Sequence, residues 1–265
     1  MTKFLQKRKS VRIYKEQALG QDALAFIRDK VGDIEGEENT DELNFHLFEN
    51  GNLIAKGLDG LAGYAGVMIE APHYIAVELR NNDELSTIRK GYYLERLNTE
   101  LVEKGLDTCY ITVSKVDDNK RKELFGEFGN YVDNILAVGH GAEDKVFSET
   151  SASPKMAVKE FVFNEYRDTP ASMDLLEQRG LFEVFSSVRF APSFKNDQPW
   201  RFILRDDHVE LYMVPGNDLE SNRTDIGVMM CYFELLMHLE GFRGKWTLEP
   251  KAPEQGWSFI GTFPL

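Results

Sequence analysis

The 265-residue chain is poor in the features that mark several protein classes. Its two cysteines, Cys109 and Cys231, are too few for a disulfide framework or a cysteine-rich zinc site, which suits a reducing cytoplasm. No apolar run approaches the roughly 18–20 residues that span a bilayer, so no membrane partner is expected. The opening MTKFLQKRKSVRIYK lacks the apolar stretch and small-residue cleavage site of a secretory leader. Positive charge is scarce. With 31 Lys and Arg against 44 Asp and Glu, the net charge of -13 repels polyphosphate and argues against a nucleic-acid partner. His46, His73, His140, His208 and His238 are scattered without metal-ligand spacing, so no metal site is expected. Neither a GxxxxGK(S/T) phosphate loop, a GxGxxG fingerprint, an HExxH pair nor a GxSxG elbow occurs. What is present is 42% hydrophobic residues, enough for one large core or two modest ones.

Helical and strand patterns alternate along the chain. Residues 21–34 read as a helix with Leu24, Ile27 and Val31 on one face, and 43–48 and 73–79 as strands. A long helix over 85–104 ends at Gly105, followed by a strand over 108–114, a short charged helix over 117–127 and a strand over 134–138. Residues 143–159 read as a polar connector. The pattern then restarts, with helices at 171–190 and 225–240 and strands at 200–205, 208–213, 245–249 and 257–263. Gly91 and Gly227 each lie in a helical stretch closed by a second glycine, Gly105 or Gly241, fourteen residues on, with a strand beyond. This points to a duplication, two units being too few for a solenoid. The expected halves are 1–152 and 153–265.

Three motifs could carry chemistry. Arg8-Lys9-Ser10-Val11-Arg12 opens a basic arm in an acidic chain. In an extended segment, residues 8, 10 and 12 share one face and could meet one phosphate-rich ligand through charge-assisted hydrogen bonds. A solvated basic arm fits the same residues. Residues 191–200, APSFKNDQPW, place Ser193, Asn196 and Gln198 on a turn stiffened by Pro192 and Pro199. Those groups suit a heterocycle edge, and the segment equally suits a capped helix end before a core Trp200. Gly105-Leu106-Asp107-Thr108 is a helix-to-strand junction, read by itself an ordinary helix end.

Together these residues resemble the nitroreductase family of flavoproteins. Its opening R-R-S-x-R pattern is similar to residues 8–12, and its A-P-S-x-x-N-x-Q-P-W signature recurs at 191–200. Its G-L-G-T-x-W junction resembles residues 105–110, with Asp107 where the family has glycine. Its G-Y-P-A-E turn resembles 139–143, and Lys155 matches a later basic residue. Ordinary members carry all motifs in a half-length subunit and pair two subunits. Here the first half has the basic motif and the second has the turn, while the second half's counterpart of the basic motif, residues 164–168, is degraded. The resemblance implies a nitroreductase-like α+β fold of two related α/β halves, with mixed sheets flanked by helices. It also implies an intrachain pseudo-dimer, able to act as a monomer, with one FMN site per chain at the seam between the halves.

The resemblance assigns Arg8, Lys9 and Ser10 to the ribityl phosphate with Lys155 assisting, and Arg12 to the pyrimidine edge. Pro192, Ser193, Asn196 and Gln198 are assigned to the ring, with Leu106, Asp107 and Thr108 joining the cofactor set. The implied activity is a ping-pong hydride transfer from NADH or NADPH, through FMN, to a nitroaromatic, quinone or similar small-molecule acceptor. The flavin carries the chemistry and no protein group acts as catalytic acid or base. The other reading is a flavin-binding sensor or store without efficient turnover, to which Asp107 lends weight by placing a carboxylate near the reduced ring.

Overall fold

The computed structural model describes residues 5, 8–38, 42–64, 66–80, 83–142, 154–214, 216, 218–249, 251 and 253–265. Glu143, most of the expected connector and the join at 152/153 lie outside them, as do Lys3 and Lys7. The chain divides into two compact units. One comprises Lys7–Ser86 and Tyr93–Thr150, the other Met1–Gln6, Thr87–Tyr92 and Ser151–Leu265.

The first unit holds α1 (Gln21–Glu38), β1 (Leu43–Phe48), α2 (Gly51–Leu58), β2 (His73–Leu79), most of α3 (Glu84–Glu103), β3 (Asp107–Thr112), α4 (Asp118–Phe125) and β4 (Asn134–Gly139). Its four strands run in the order β1-β2-β4-β3 with every neighbour antiparallel. All seven residues of β2 are buried, because β2 is internal to the sheet and its side chains are covered on both faces. Ile54 and Leu58 of α2 and Phe125 of α4 pack with Tyr74, Ala76, Ile111 and Ile135 from the strands. Leu24 and Ile27 of α1 are buried as the spacing predicts, Val31 is only half-buried, and Ile34 is buried in the following turn. Asp83 caps α3, its side chain accepting from the Leu85 and Ser86 amides at 3.0 and 2.9 Å.

The second unit holds α5 (Val158–Phe161), β5 (Val162–Asn164), α6 (Met173–Gln178), α7 (Phe182–Val188), β6 (Trp200–Leu204), β7 (His208–Met213), α8 (Leu219–Leu239), β8 (Thr247–Leu248) and β9 (Ser258–Pro264). Its sheet is mixed, in the order β5-β6-β7-β9-β8, with β5 parallel to β6 and the other pairs antiparallel. Phe161, Phe185, Phe202, Phe233 and Phe263 form its aromatic centre, all fully buried. Met229, Met230, Leu236 and Met237 of α8 are buried with them.

The expected repeat has a counterpart in the topology. The orders β1-β2-β4-β3 and β6-β7-β9-β8 are the same, with α3 and α8 each joining the second strand to the third. Both helices end in the same way. Gly105 (φ 90°) and Gly241 (φ 96°) take left-handed backbone, and the next amide reaches back five residues, Leu106 to Leu101 at 2.9 Å and Phe242 to Met237 at 3.0 Å.

Several segments differ from the sequence reading, α5 and β5 having no counterpart in it. The helix expected over 171–190 is broken by Gly180 (φ 68°), with Leu181 N–H bonding Leu176 O at 2.8 Å, so α6 and α7 are separate. The strand expected at 245–249 shrinks to Thr247–Leu248, and α2 has no counterpart in the reading. No helix of the described residues is long and apolar enough to cross a membrane.

Candidate functional site

In the first unit the basic arm lies along the free edge of β3. Ser10 bridges Thr108 in parallel register, Val11 N–H donates to Thr108 O at 3.0 Å, and Tyr14 bridges Gly141. The arm is therefore extended, and alternate side chains diverge. By alternation residues 8, 10 and 12 fall on one side of the arm. Burial pushes the Cys109 thiol up, while the Arg12 and Arg8 charges and Ser10 pull it back. Lys9 lines a cavity of about 240 Å³ with Val102, Glu103, Gly105, Leu106, Asp107 and Thr108. Two of the three sequence motifs thus meet within one unit.

Each cation of the arm has a defined setting. Arg8 Nε donates to Glu95 Oε1 at 3.4 Å, the Glu95 side chain being fully buried and that of Arg8 only 14% exposed. Asn98 Nδ2 donates to the same Glu95 oxygen at 3.0 Å, and Thr108 Oγ1 donates to Asn98 Oδ1 at 2.6 Å. This buried chain links α3 to β3 beneath the arm. The Arg12 guanidinium lies 4.4 Å from the centre of the Tyr64 ring. Asp107, the departure from the family pattern, accepts the Gly141 amide at 2.7 Å and ties the start of β3 to the segment after β4.

In the second unit the 191–200 turn and the segment from Pro154 to Met156 are stitched together. Asn196 Nδ2 donates to Pro154 O at 2.8 Å, Met156 N–H donates to Gln198 Oε1 at 2.9 Å, and Lys155 Nζ donates to Ala191 O at 2.8 Å. Gln198 Nε2 divides its donors between Pro154 O at 3.3 Å and Asn196 O at 3.2 Å. Ser193 Oγ accepts from the Gln198 amide at 3.0 Å, and Asp225 of α8 accepts from the Phe194 amide with both oxygens. Lys195, Asn196 and Gln198 all have positive φ, at 49°, 62° and 48°. Three non-glycine residues held there constitute stored backbone strain, of the kind that collects at ligand clamps. Among the described residues nothing donates to the buried Asn196 Oδ1.

Sequence reading found the arm, the junction and the turn, and missed the groups that hold them. Glu95, Asn98 and Asp225 sit in helices, where a polar residue ordinarily faces water; only their burial marks them. Of the degraded counterpart motif, Arg167 stacks on Tyr212 and Trp257 at 5.3 and 5.2 Å and donates to Glu254 O at 2.8 Å.

The family described as "Putative TM nitroreductase" matches residues 1–237. The chain belongs to this nitroreductase family. A "putative nitroreductase" of Thermotoga maritima MSB8 shares the fold, aligning over 97% of this chain and 91% of its own with 17% identity and a TM-score of 0.57. An FMN-dependent nitroreductase of Clostridium difficile R20291 covers 56% of this chain and 91% of its own, with 21% identity and a TM-score of 0.45. A nitroreductase of Bacteroides fragilis NCTC 9343 with bound FMN covers 58% of this chain and 99% of its own, with 15% identity and a TM-score of 0.41. No curated protein matches. The α+β architecture of this chain is therefore that of its family, with parallel pairing in β5–β6 and in the Ser10–Thr108 bridge.

Proposed function

We propose that the chain is an FMN-dependent oxidoreductase that holds one FMN. The 193–198 turn carries this reading. A strained turn braced on four sides, with a buried acceptor left open at Asn196 Oδ1, is a receptor for a donor supplied by a ligand. The flavin pyrimidine offers such an N–H. The Ser193 hydroxyl accepts from Gln198 and keeps its own proton to donate to a ring acceptor. The donor set therefore fits a flavin ring. The basic arm suits the phosphate, Arg8, Lys9 and Ser10 supplying cations and a hydroxyl.

In this proposal Arg12 presents a fixed cation to the pyrimidine edge, favouring the negative charge that reduction adds there. Pro192 fixes the turn's entry, Gln198 braces it with its amide donors on Pro154 O and Asn196 O, and Lys155 gives one ammonium donor to Ala191 O while its charge assists at the phosphate. Leu106 and Thr108 shape the cavity beside Lys9. Bound FMN would supply hydride transfer from NADH or NADPH to a small oxidised acceptor such as a quinone or nitroaromatic. Asp107 serves as a backbone brace through Gly141, which accounts for its departure from the family glycine without a redox role. The test is direct. The purified chain should bind about one FMN, and anaerobic NADH or NADPH should bleach it within seconds. A chain that binds no flavin overturns the reading, and one that binds flavin without bleaching is a binder only.

A further inference from the structure

The turn after α2 displays a tyrosine toward the arm. Tyr64 and Val67 pair their backbones in both directions, at 2.8 and 3.0 Å. Gly63 (φ 105°) makes this possible, since a Cβ there would lie 2.1 Å from Val67 O, and Gly66 (φ 84°) closes the turn. Ala62, Met68 and Ile69 on either side are buried, so the turn is rooted in the core. Tyr64 itself is 63% exposed, and its ring contributes nothing to that core. Its visible use is the Arg12 guanidinium, 4.4 Å from the ring centre.

We propose that Tyr64 is a positioning residue for Arg12, holding its guanidinium against the ring so that the charge is aimed before the flavin is reduced. The inference rests on the reading of Arg12 as the cation at the pyrimidine edge. An exposed arginine otherwise spreads over many rotamers, and its field at any one atom is diluted. A π face narrows that distribution without neutralising the charge, which a carboxylate partner would do.

FMN affinity is measured in the oxidised and the dithionite-reduced states for the wild type, Tyr64→Leu, Tyr64→Phe, Arg12→Ala and the Arg12→Ala, Tyr64→Leu double variant, with circular dichroism to check folding. Tyr64→Leu should weaken binding of reduced FMN about two- to fivefold, the strength of an exposed cation–π contact, and oxidised FMN less. Tyr64→Phe keeps the ring and should match the wild type. In the Arg12→Ala background Tyr64→Leu should have no further effect. An unchanged Tyr64→Leu variant, a Tyr64→Phe variant equally impaired, or an undiminished effect in the double variant overturns the proposal and leaves the flavin reading standing. If Arg12→Ala does not alter reduced-state affinity, or the wild type binds no FMN, the underlying reading fails and takes this inference with it.

Discussion

Gly91 of α3 and Gly227 of α8 meet backbone to backbone. A Cβ on Gly91 would lie 2.4 Å from Thr224 O, and one on Gly227 2.0 Å from Ile88 O. The two glycines of the sequence repeat thus allow the helices that carry them to touch, which explains why both positions lack a side chain. Gly227→Ala should force the helices apart and cost about 1–3 kcal/mol, as overpacking in a filled core does. Thermal melting of the Gly91→Ala and Gly227→Ala variants checks this; melting temperatures equal to the wild type would refute the close packing.

Binding should separate the roles of the two motifs. Arg8→Ala removes a charge-assisted contact worth roughly 1.5–3 kcal/mol, so FMN affinity should fall about tenfold to a hundredfold. Riboflavin, which lacks the phosphate, should bind nearly as before. Asn196→Ala should weaken FMN and riboflavin alike. Equal losses for both ligands in Arg8→Ala, with none in Asn196→Ala, would reverse the assignment of phosphate and ring.

The Asp107 carboxylate should matter for stability through one oxygen. Asp107→Ala leaves the Gly141 amide without its 2.7 Å acceptor and should cost about 1–3 kcal/mol in chemical denaturation. Asp107→Asn keeps an acceptor and should lose less. A variant order with asparagine the worse would show that charge, and not the hydrogen bond, is what counts there.

His73 gives the chain a pH dependence of defined sign. Its Nε2 accepts the Leu19 amide at 2.9 Å and its ring is almost wholly buried, so the neutral form is built into the fold. Burial holds its pKa below the usual 6.5. The unfolded chain therefore takes up this proton first. The contribution to stability is complete above about pH 6.5 and declines as pH falls toward the folded value. Melting temperatures at about pH 7.5 and 5.5 should differ more for the wild type than for His73→Leu, and equal differences would exclude this titration as a cause.

Periodicity was a reliable guide where one force dominates. The strands 43–48, 73–79 and 208–213 have the bounds expected of them, since alternation and apolar runs report burial directly. The expected helix at 85–104 is shifted by one residue, with Asp83 and Gly105 closing its ends by local hydrogen bonds. The break at Gly180 was hidden because Leu176, Val184 and Val188 keep an apolar rhythm through it. A glycine read as a tolerated interruption proved to be a helix terminus. The helix Gly51–Leu58 was overlooked because eight residues are too few for the pattern to stand out from a loop.

At the site, the residue types and their order along the chain were legible: cations and a hydroxyl in an extended arm, amides on a proline-bounded turn, glycine at a helix end. Those depend on local chemistry, and local chemistry is written in consecutive residues. The settings of the same side chains were not. That Arg8 leans on a fully buried Glu95, that Gln198 spends its amide on Pro154 and Asn196, and that Tyr64 lies under Arg12 are pairings across 87, 44, 2 and 52 positions respectively. Even the nearest of them lies in a turn where Lys195, Asn196 and Gln198 all take positive φ, which only Asn among the three readily adopts. Such pairings are settled when the core closes, because burial leaves each polar group only the partners that packing brings within reach.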